Sequence, residues 1–164
     1  KNYSLEDILK RNITALSFTP KYDELEDRIR ISINYDNFDN RVDFMMSRSF
    51  VLKLFPILDD YMLKFYAMDL NTVQIPQANQ ELVTKQDKST SLTDGSNLEL
   101  YKQEDELLIE VKFSFIKKTK TSIIVFESNT TQATAQLDGY SLKQIFTIIK
   151  QSIPFFSWGI SHNL

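Results

Sequence analysis

The residue types that carry most enzyme chemistry are scarce in this chain. It has no cysteine and one histidine, His162. Thiolate nucleophiles and cysteine-bound metals are therefore excluded, and a Ser-His-Asp triad or a histidine-rich metal site has almost no basis. Its three glycines stand apart, at positions 95, 139 and 159, so neither GxGxxG nor a phosphate-binding loop motif is present. We expect no cofactor, no metal site and no enzymatic activity.

One acidic run offers carboxylates for acid–base catalysis: Asp23, Glu24, Glu26 and Asp27. A catalytic pair needs a cleft that shifts the pKa of one of its members. An acidic run in a loop is more often a solvated face, so we favour the structural interpretation.

A second oxygen-rich group lies at a predicted hairpin tip: Asp36, Asn37, Asp39 and Asn40. Oxygen ligands suit calcium, but the 12-residue spacing and final glutamate of an EF-hand are missing. Asp and Asn also favour tight turns, and this explanation is preferred. Phe38, in the same turn, is unusual for such a position and is a candidate partner contact.

A basic turn supports an alternative function, nucleic-acid binding, through Lys112, Lys117, Lys118 and Lys120. Basic turns beside aromatic residues on a sheet can bind RNA by base stacking. The neighbouring Phe113 shares its strand face with Val111, which favours the core over a stacking platform. The net charge of −3 also argues against nucleic acid as the partner.

The segment after the last predicted helix is rich in large apolar residues, and its candidate partner contacts are Phe155, Phe156, Trp158 and Ile160. Exposed apolar clusters commonly mark protein interfaces. The competing interpretation is that this tail folds back and covers the sheet or the helices, because large aromatic residues are usually buried within their own domain.

The length of 164 residues, 42% of them hydrophobic and 25% charged, is typical of one soluble globular domain. We divide it into a first half at about 12–70, a polar linker or long loop at about 71–97, and a second half at about 98–164. No signal peptide or membrane-spanning run is evident, which favours a cytoplasmic protein. A leader or anchor removed before Lys1 is the alternative.

Apolar alternation predicts three strands in the first half. The first covers 13–18 and is ended by Pro20; the other two, at 28–34 (RIRISIN) and 41–46 (RVDFMM), form an antiparallel hairpin. One face of this hairpin is expected to be covered and the other wet.

Charged residues are predicted on the wet face of that hairpin. Arg28, Arg30 and Arg41 lie there close to Asp43, an arrangement that suits ion pairs as well as any ligand.

A helix is predicted at about 48–69, capped by Ser47 or Ser49, with an apolar stripe at helical spacing. Pro56 lies inside it and removes a backbone donor. Two helices that meet at Phe55–Pro56 are therefore the alternative.

The second half repeats this order. Strands are predicted at 106–118, 121–128 and 131–137, followed by a helix at 139–152 capped by Asp138. The row expected to face the core consists of Leu107, Ile109, Val111, Phe113 and Phe115.

Each half therefore consists of three strands and a helix, which predicts an α+β fold: antiparallel strands in two meander-like groups, each closed by an amphipathic helix. Pseudo-duplication of a βββα unit is a hypothesis, because buried helices also resemble one another by chance. Of two arrangements, one continuous sheet and two lobes, we favour the continuous sheet because it removes two exposed edges.

The predicted function is a non-enzymatic adaptor, inhibitor or assembly subunit that binds another protein, or a second copy of itself, through a sheet edge or the aromatic tail. The alternative is a domain that binds a small ligand in the cavity between helix and sheet, or nucleic acid at the basic turn around 117–120.

Overall fold

The computed structural model describes residues 10–69, 82–83, 102–154 and 158–159. Within these ranges the chain forms nine strands and two helices, which confirms the predicted α+β class. In chain order they are β1 (Arg11–Thr14), β2 (Ser17–Asp23), β3 (Arg28–Ile33), β4 (Val42–Met46), α1 (Arg48–Tyr66), β5 (Leu82–Val83), β6 (Glu106–Leu107), β7 (Glu110–Ile116), β8 (Thr121–Glu127), β9 (Thr131–Asp138) and α2 (Gly139–Gln151).

The strands form two separate sheets, so the favoured continuous sheet is wrong. One sheet has the order β5-β2-β3-β4-β6 and the other β1-β9-β8-β7. Each contains a three-stranded antiparallel meander followed in the chain by a helix, β2–β3–β4–α1 in the first half and β7–β8–β9–α2 in the second. The predicted element order is therefore confirmed for both halves, whereas their common ancestry stays a prediction.

The halves exchange their leading strands. β1 precedes the first meander but pairs in parallel with β9, and β6 precedes the second meander but pairs in parallel with β4. At each crossing a buried residue donates its backbone N–H to the other half: Ala15 to the Thr134 carbonyl at 2.8 Å, and Leu108 to the Met45 carbonyl at 2.9 Å. This exchange gives the two sheets of the α+β fold a reciprocal backbone link.

The exchange overturns two details of the predicted strands. The segments 13–18 and 106–118 are each interrupted where the chain changes sheets, at 15–16 and 108–109. Leu107 and Ile109 were expected to face the core, but their exposed fractions are 51% and 48%, while Leu108 is buried. The chain turns between two sheets at this point, so a single alternating period does not continue through it.

Pro20 does not end the first strand, as predicted, but lies inside β2 opposite Ile31. On its other side β2 meets β5, which pairs only with Ser17 and Phe18. No described residue pairs with Pro20 on this other side, which fits the preference of proline for strand positions that need no N–H donor.

Both predicted caps are confirmed. The Ser47 hydroxyl accepts a hydrogen bond from the Phe50 N–H at 3.1 Å, and the Asp138 carboxylate accepts one from the Ser141 N–H at 2.8 Å. α1 continues through Pro56 as one helix, so the two-helix alternative is wrong. Neither helix in the described ranges is long and apolar enough to cross a membrane.

Both sheets and both helices enclose one core, and Phe126 of β8 lies where they meet. Its ring centroid is 5.7 Å from that of Phe18, 6.4 Å from that of Phe44 and 6.4 Å from that of Phe146. Phe146 of α2 in turn contacts Phe55 of α1 edge-on. A single aromatic cluster therefore joins the two halves.

Of the predicted linker at 71–97, the structure describes only Leu82–Val83. These residues form β5, which pairs antiparallel with β2. The rest of the linker lies outside the described residues.

Candidate protein-interaction surface

The face of the first hairpin that was predicted to be exposed to solvent is buried at its centre. The prediction that Arg41 is solvated is therefore wrong. Arg41 is 1% exposed and Asp43 0%. Two hydrogen bonds join them, Nη2 to Oδ1 at 2.8 Å and Nε to Oδ2 at 3.0 Å. Ser32, opposite Asp43 on β3, donates its hydroxyl to the same carboxylate at 2.5 Å.

The segment 102–105 lies over this network. The Gln103 N–H donates to the Asp43 carboxylate at 3.4 Å. Asp105 and Asp23 both bridge Arg30, at 3.3 and 3.5 Å. The Arg30–Asp105 and Gln103–Asp43 contacts join the segment before β6 to β3 and β4, which indicates a role in holding β6 beside β4.

Trp158 packs within the domain. It is buried, and its indole N–H donates to the Asp27 carboxylate at 2.6 Å, which also accepts from the Tyr22 hydroxyl at 2.5 Å. These two hydrogen bonds hold the pKa of Asp27 below its usual value, and Arg48 reinforces this with an ion pair at 2.6 Å. The acidic run thus supplies a structural carboxylate. Three further candidates from the tail lie outside the described residues: Phe155, Phe156 and Ile160.

The four lysines proposed for nucleic-acid binding stay on the β7–β8 hairpin of the second sheet. Lys117, Lys118 and Lys120 are exposed in its turn. Lys112 forms an ion pair with Glu127 at 2.9 Å, which lowers the pKa of that carboxyl. Arg30 belongs to the other sheet and is paired there, so these residues do not form one positive stripe.

The Asp- and Asn-rich turn makes internal hydrogen bonds. The Asn37 side-chain oxygen accepts from the Asp39 and Asn40 N–H groups, both at 3.2 Å. Phe38 is 63% exposed at its tip, and its carbonyl accepts from the Gln103 side chain at 2.9 Å. In the described ranges, no three His, Asp or Glu side chains converge as metal ligands would.

Three hydroxyls meet between α1 and β8. Tyr61 and Tyr66 each lie 2.7 Å from the buried Ser122 hydroxyl. Burial raises the pKa of both phenols, so they stay protonated and do not act as bases toward Ser122. Gly139 is required beside this cluster, because a Cβ there would lie 2.4 Å from the Tyr66 ring.

The carboxylate of Asp59 on α1 is partly buried in a position that does not compensate its charge. Its Oδ1 is buried without a hydrogen-bond partner among the described residues. Desolvation raises the pKa of this carboxyl above its ordinary value of 3.8, although the charge of Lys150 opposes the shift. The folded state therefore binds this proton more tightly than the unfolded state does.

The sign of this shift predicts that ionised Asp59 destabilises the protein. Stability is lost as the pH rises from the ordinary pKa through the raised one, and the loss persists at neutral pH. We expect Asp59→Asn to raise the free energy of unfolding at pH 7 by roughly 0.5 kcal/mol. In urea melts this gain should shrink toward acidic pH, and Asp36→Asn, at an exposed aspartate in the β3–β4 turn, is the matched control. A gain that is equal at both pH values would contradict the assignment.

An apolar groove of about 410 Å³ lies between the N-terminal half of α1 and the start of β7. Lys53 and Glu110 flank it with opposite charges. Its apolar lining consists of Phe50, Leu54, Ile57, Ile109 and Val111.

The strand beside this groove is an open sheet edge. β7 has seven residues and ends the β1-β9-β8-β7 sheet, and no described residue pairs with its outer side. Alternate backbone N–H and C=O groups of such a strand point away from the sheet. The other edge strands, β1, β5 and β6, have four residues or fewer.

No known family accounts for this surface. No family model matches the chain, and comparison with curated proteins and with solved structures finds no significant match. Its interpretation therefore depends on its own geometry.

A cavity between helix and sheet was predicted, but the residues of this groove were not, because its two most exposed apolar residues each have a conventional explanation. Ile109 falls in the alternating row of the predicted strand. Ile57, which is 59% exposed, lies on a helix that is otherwise amphipathic. The available signal was that Ile57 falls outside the apolar stripe of that helix, which runs through Leu54 and Leu58.

Proposed function

We propose that this protein is a non-enzymatic interaction module that binds a protein segment at the edge groove, defined as the outer edge of β7 together with the apolar groove beside it. The observation that carries the proposal is the adjacency of the two: a seven-residue strand edge and a groove lined by Ile57, Ile109 and Val111. An added strand gains affinity from backbone hydrogen bonds and specificity from alternate side chains that enter a groove.

The alternatives have less support. A small-ligand site is a concave pocket in which a few polar groups converge to orient the ligand. Here the Ser47 hydroxyl is already used as a helix cap, and the other polar lining residues are all exposed to solvent: Ser49, Lys53 and Glu110. Nucleic-acid binding needs a continuous basic surface, yet Lys112 is paired with Glu127 and Arg30 with two aspartates.

The probe for this proposal is a set of random 12-residue peptides displayed on phage and selected against the purified chain. We expect Ile57→Glu to weaken binding of the selected peptides by about 10- to 100-fold, because burial of an isoleucine side chain contributes about 1.5–3 kcal/mol. Isothermal titration of synthetic peptides measures this change. Leu25→Glu is the matched control, since Leu25 is 97% exposed and does not line the groove, and the substitution is chemically similar.

The location of binding is tested separately by amide chemical shifts. A bound peptide should perturb amides along β7 and those around Ile57. Peptides whose shifts map instead to the basic turn or to Trp158, or whose affinity is unchanged by Ile57→Glu, would contradict the proposal.

A further inference from the structure

We infer that the partner at the edge groove is a second copy of this chain, paired antiparallel through β7 about a two-fold axis at Val111. This inference rests on the proposed function, because it assigns the occupant of the same surface. Two independent elements, β7 and α1, are self-complementary about that axis.

The first element is the strand itself, whose central residues read IEVKF from Ile109 to Phe113. In an antiparallel pair centred on Val111, Glu110 lies opposite Lys112 of the second copy, and by symmetry the same pair forms again. Ile109 then lies opposite Phe113 of the second copy. Opposite charges directly across an antiparallel pair stabilise it, and like charges there destabilise it.

The register is specific. A pair centred on Phe113 would place Glu110 opposite Ile116 and Lys112 opposite Ser114, so neither charge would have a partner. The charges on an open edge usually prevent strand addition. Here Glu110 and Lys112 carry opposite charges on the same face of β7. They therefore permit a second copy of β7 to pair, but only in the register in which each glutamate faces a lysine.

The second element is the exposed face of α1. Lys53, Ile57 and Asp60 share this face, since they are spaced by four and three residues. Two copies of α1 that cross antiparallel near Ile57 bring Lys53 opposite Asp60 of the other copy, again twice. The charge pattern of the helix therefore has the same two-fold complementarity as that of the strand.

Both elements fit one axis. Ile57 and Val111 line the same groove, so the centre of the helix pair lies beside the centre of the strand pair. α1 lies over both β7 and β8, because the Tyr61 ring is 5.0 Å from the Phe113 ring of β7 and the Tyr61 hydroxyl lies 2.7 Å from that of Ser122 on β8. Adjacent strands are about 4.8 Å apart, so two helices that each lie over a β7–β8 pair are about 10 Å apart across the new strand pairing, close to the 8–10 Å that is typical of packed helices. Two four-stranded sheets then join into one of eight strands (four plus four).

Charge exchange tests the pairing directly. We expect sedimentation equilibrium to show a concentration-dependent dimer of the wild-type chain. Glu110→Lys or Lys112→Glu alone should raise the dissociation constant about tenfold or more, because each places like charges opposite each other twice. Mixing these two variants should restore a dimer, since every lysine then faces a glutamate. The chain that carries both substitutions should dimerise like the wild type.

Circular dichroism melts control for folding, because Lys112→Glu also removes the ion pair with Glu127. If that variant misfolds, Glu110→Lys alone still tests the pairing, and a dimer that persists in it overturns the inference. A dimer that persists in both single variants, or that mixing does not restore, overturns the inference. A chain that stays monomeric at all concentrations but still binds selected peptides at β7 overturns the inference alone. If neither self-association nor peptide binding involves β7, the proposed function fails as well.

Discussion

Replacement of Asp43 by alanine is expected to lower the free energy of unfolding by about 3–5 kcal/mol, because it leaves a buried charge without its partner. Arg41 would keep its guanidinium in a site that is 1% exposed, and among the described residues the Tyr35 carbonyl at 3.2 Å would be its remaining acceptor. Ser32 and the Gln103 N–H would lose their acceptor too. Urea melts at pH 7 measure the loss.

Two controls separate the unpaired charge from general disruption. Arg41→Met combined with Asp43→Leu removes both charges, and we expect it to cost much less than Asp43→Ala alone, since an apolar pair of similar volume often replaces a buried ion pair without loss. Lys102→Ala breaks the partly exposed pair with Asp105 and should cost less than about 1 kcal/mol. If Asp43→Ala were as mild as Lys102→Ala, solvent would have to reach the network.

The parts of the fold that the sequence predicted are those set by local physics. The helix starts at Ser47 and Asp138 follow from side chains that accept the first unpaired N–H groups of a helix. The strands β3, β8 and β9 follow from alternation over segments that stay in one sheet. In each case, the residues that determine the structure are neighbours in the chain.

The strand exchange was not predictable in this way. The chain passes from one sheet to the other at Ala15 and at Leu108. An apolar residue at the end of a strand does not indicate to which sheet its backbone N–H will donate a hydrogen bond. The burial of Arg41 was missed for a related reason. Its cover, residues 102–105, is remote in sequence, and an arginine at a polar position of an alternating strand is usually exposed.

The same limit applies to the edge groove. The sequence predicts a strand that includes Glu110, Val111 and Lys112. It does not reveal that this strand lies at the edge of a sheet. Strand order depends on contacts between distant segments. The self-complementary charges of Glu110 and Lys112 acquire meaning only once β7 is known to be an edge.

Phe126→Ala is the second substitution for which we expect a large effect, a loss of about 3–5 kcal/mol in the free energy of unfolding. The Phe126 ring is fully buried and contacts Phe18, Phe44 and Phe146, so its removal leaves a cavity bordered by both sheets and α2. Phe126→Leu should cost less, because it fills part of that cavity. Leu25→Ala, at a leucine that is 97% exposed, is the control and should change stability by no more than about 0.5 kcal/mol.

Whether the protein unfolds in one transition or in two is as informative as the midpoint of unfolding. Trp158 packs edge-on against Tyr22 of β2, so its fluorescence reports on the first sheet, whereas far-ultraviolet circular dichroism reports on both. The exchanged strands β1 and β6 link the sheets through the backbone, and we therefore expect the two signals to change together in the wild type and in Phe126→Ala. Separate transitions in Phe126→Ala would mean that the aromatic core, and not the strand exchange, couples the two halves.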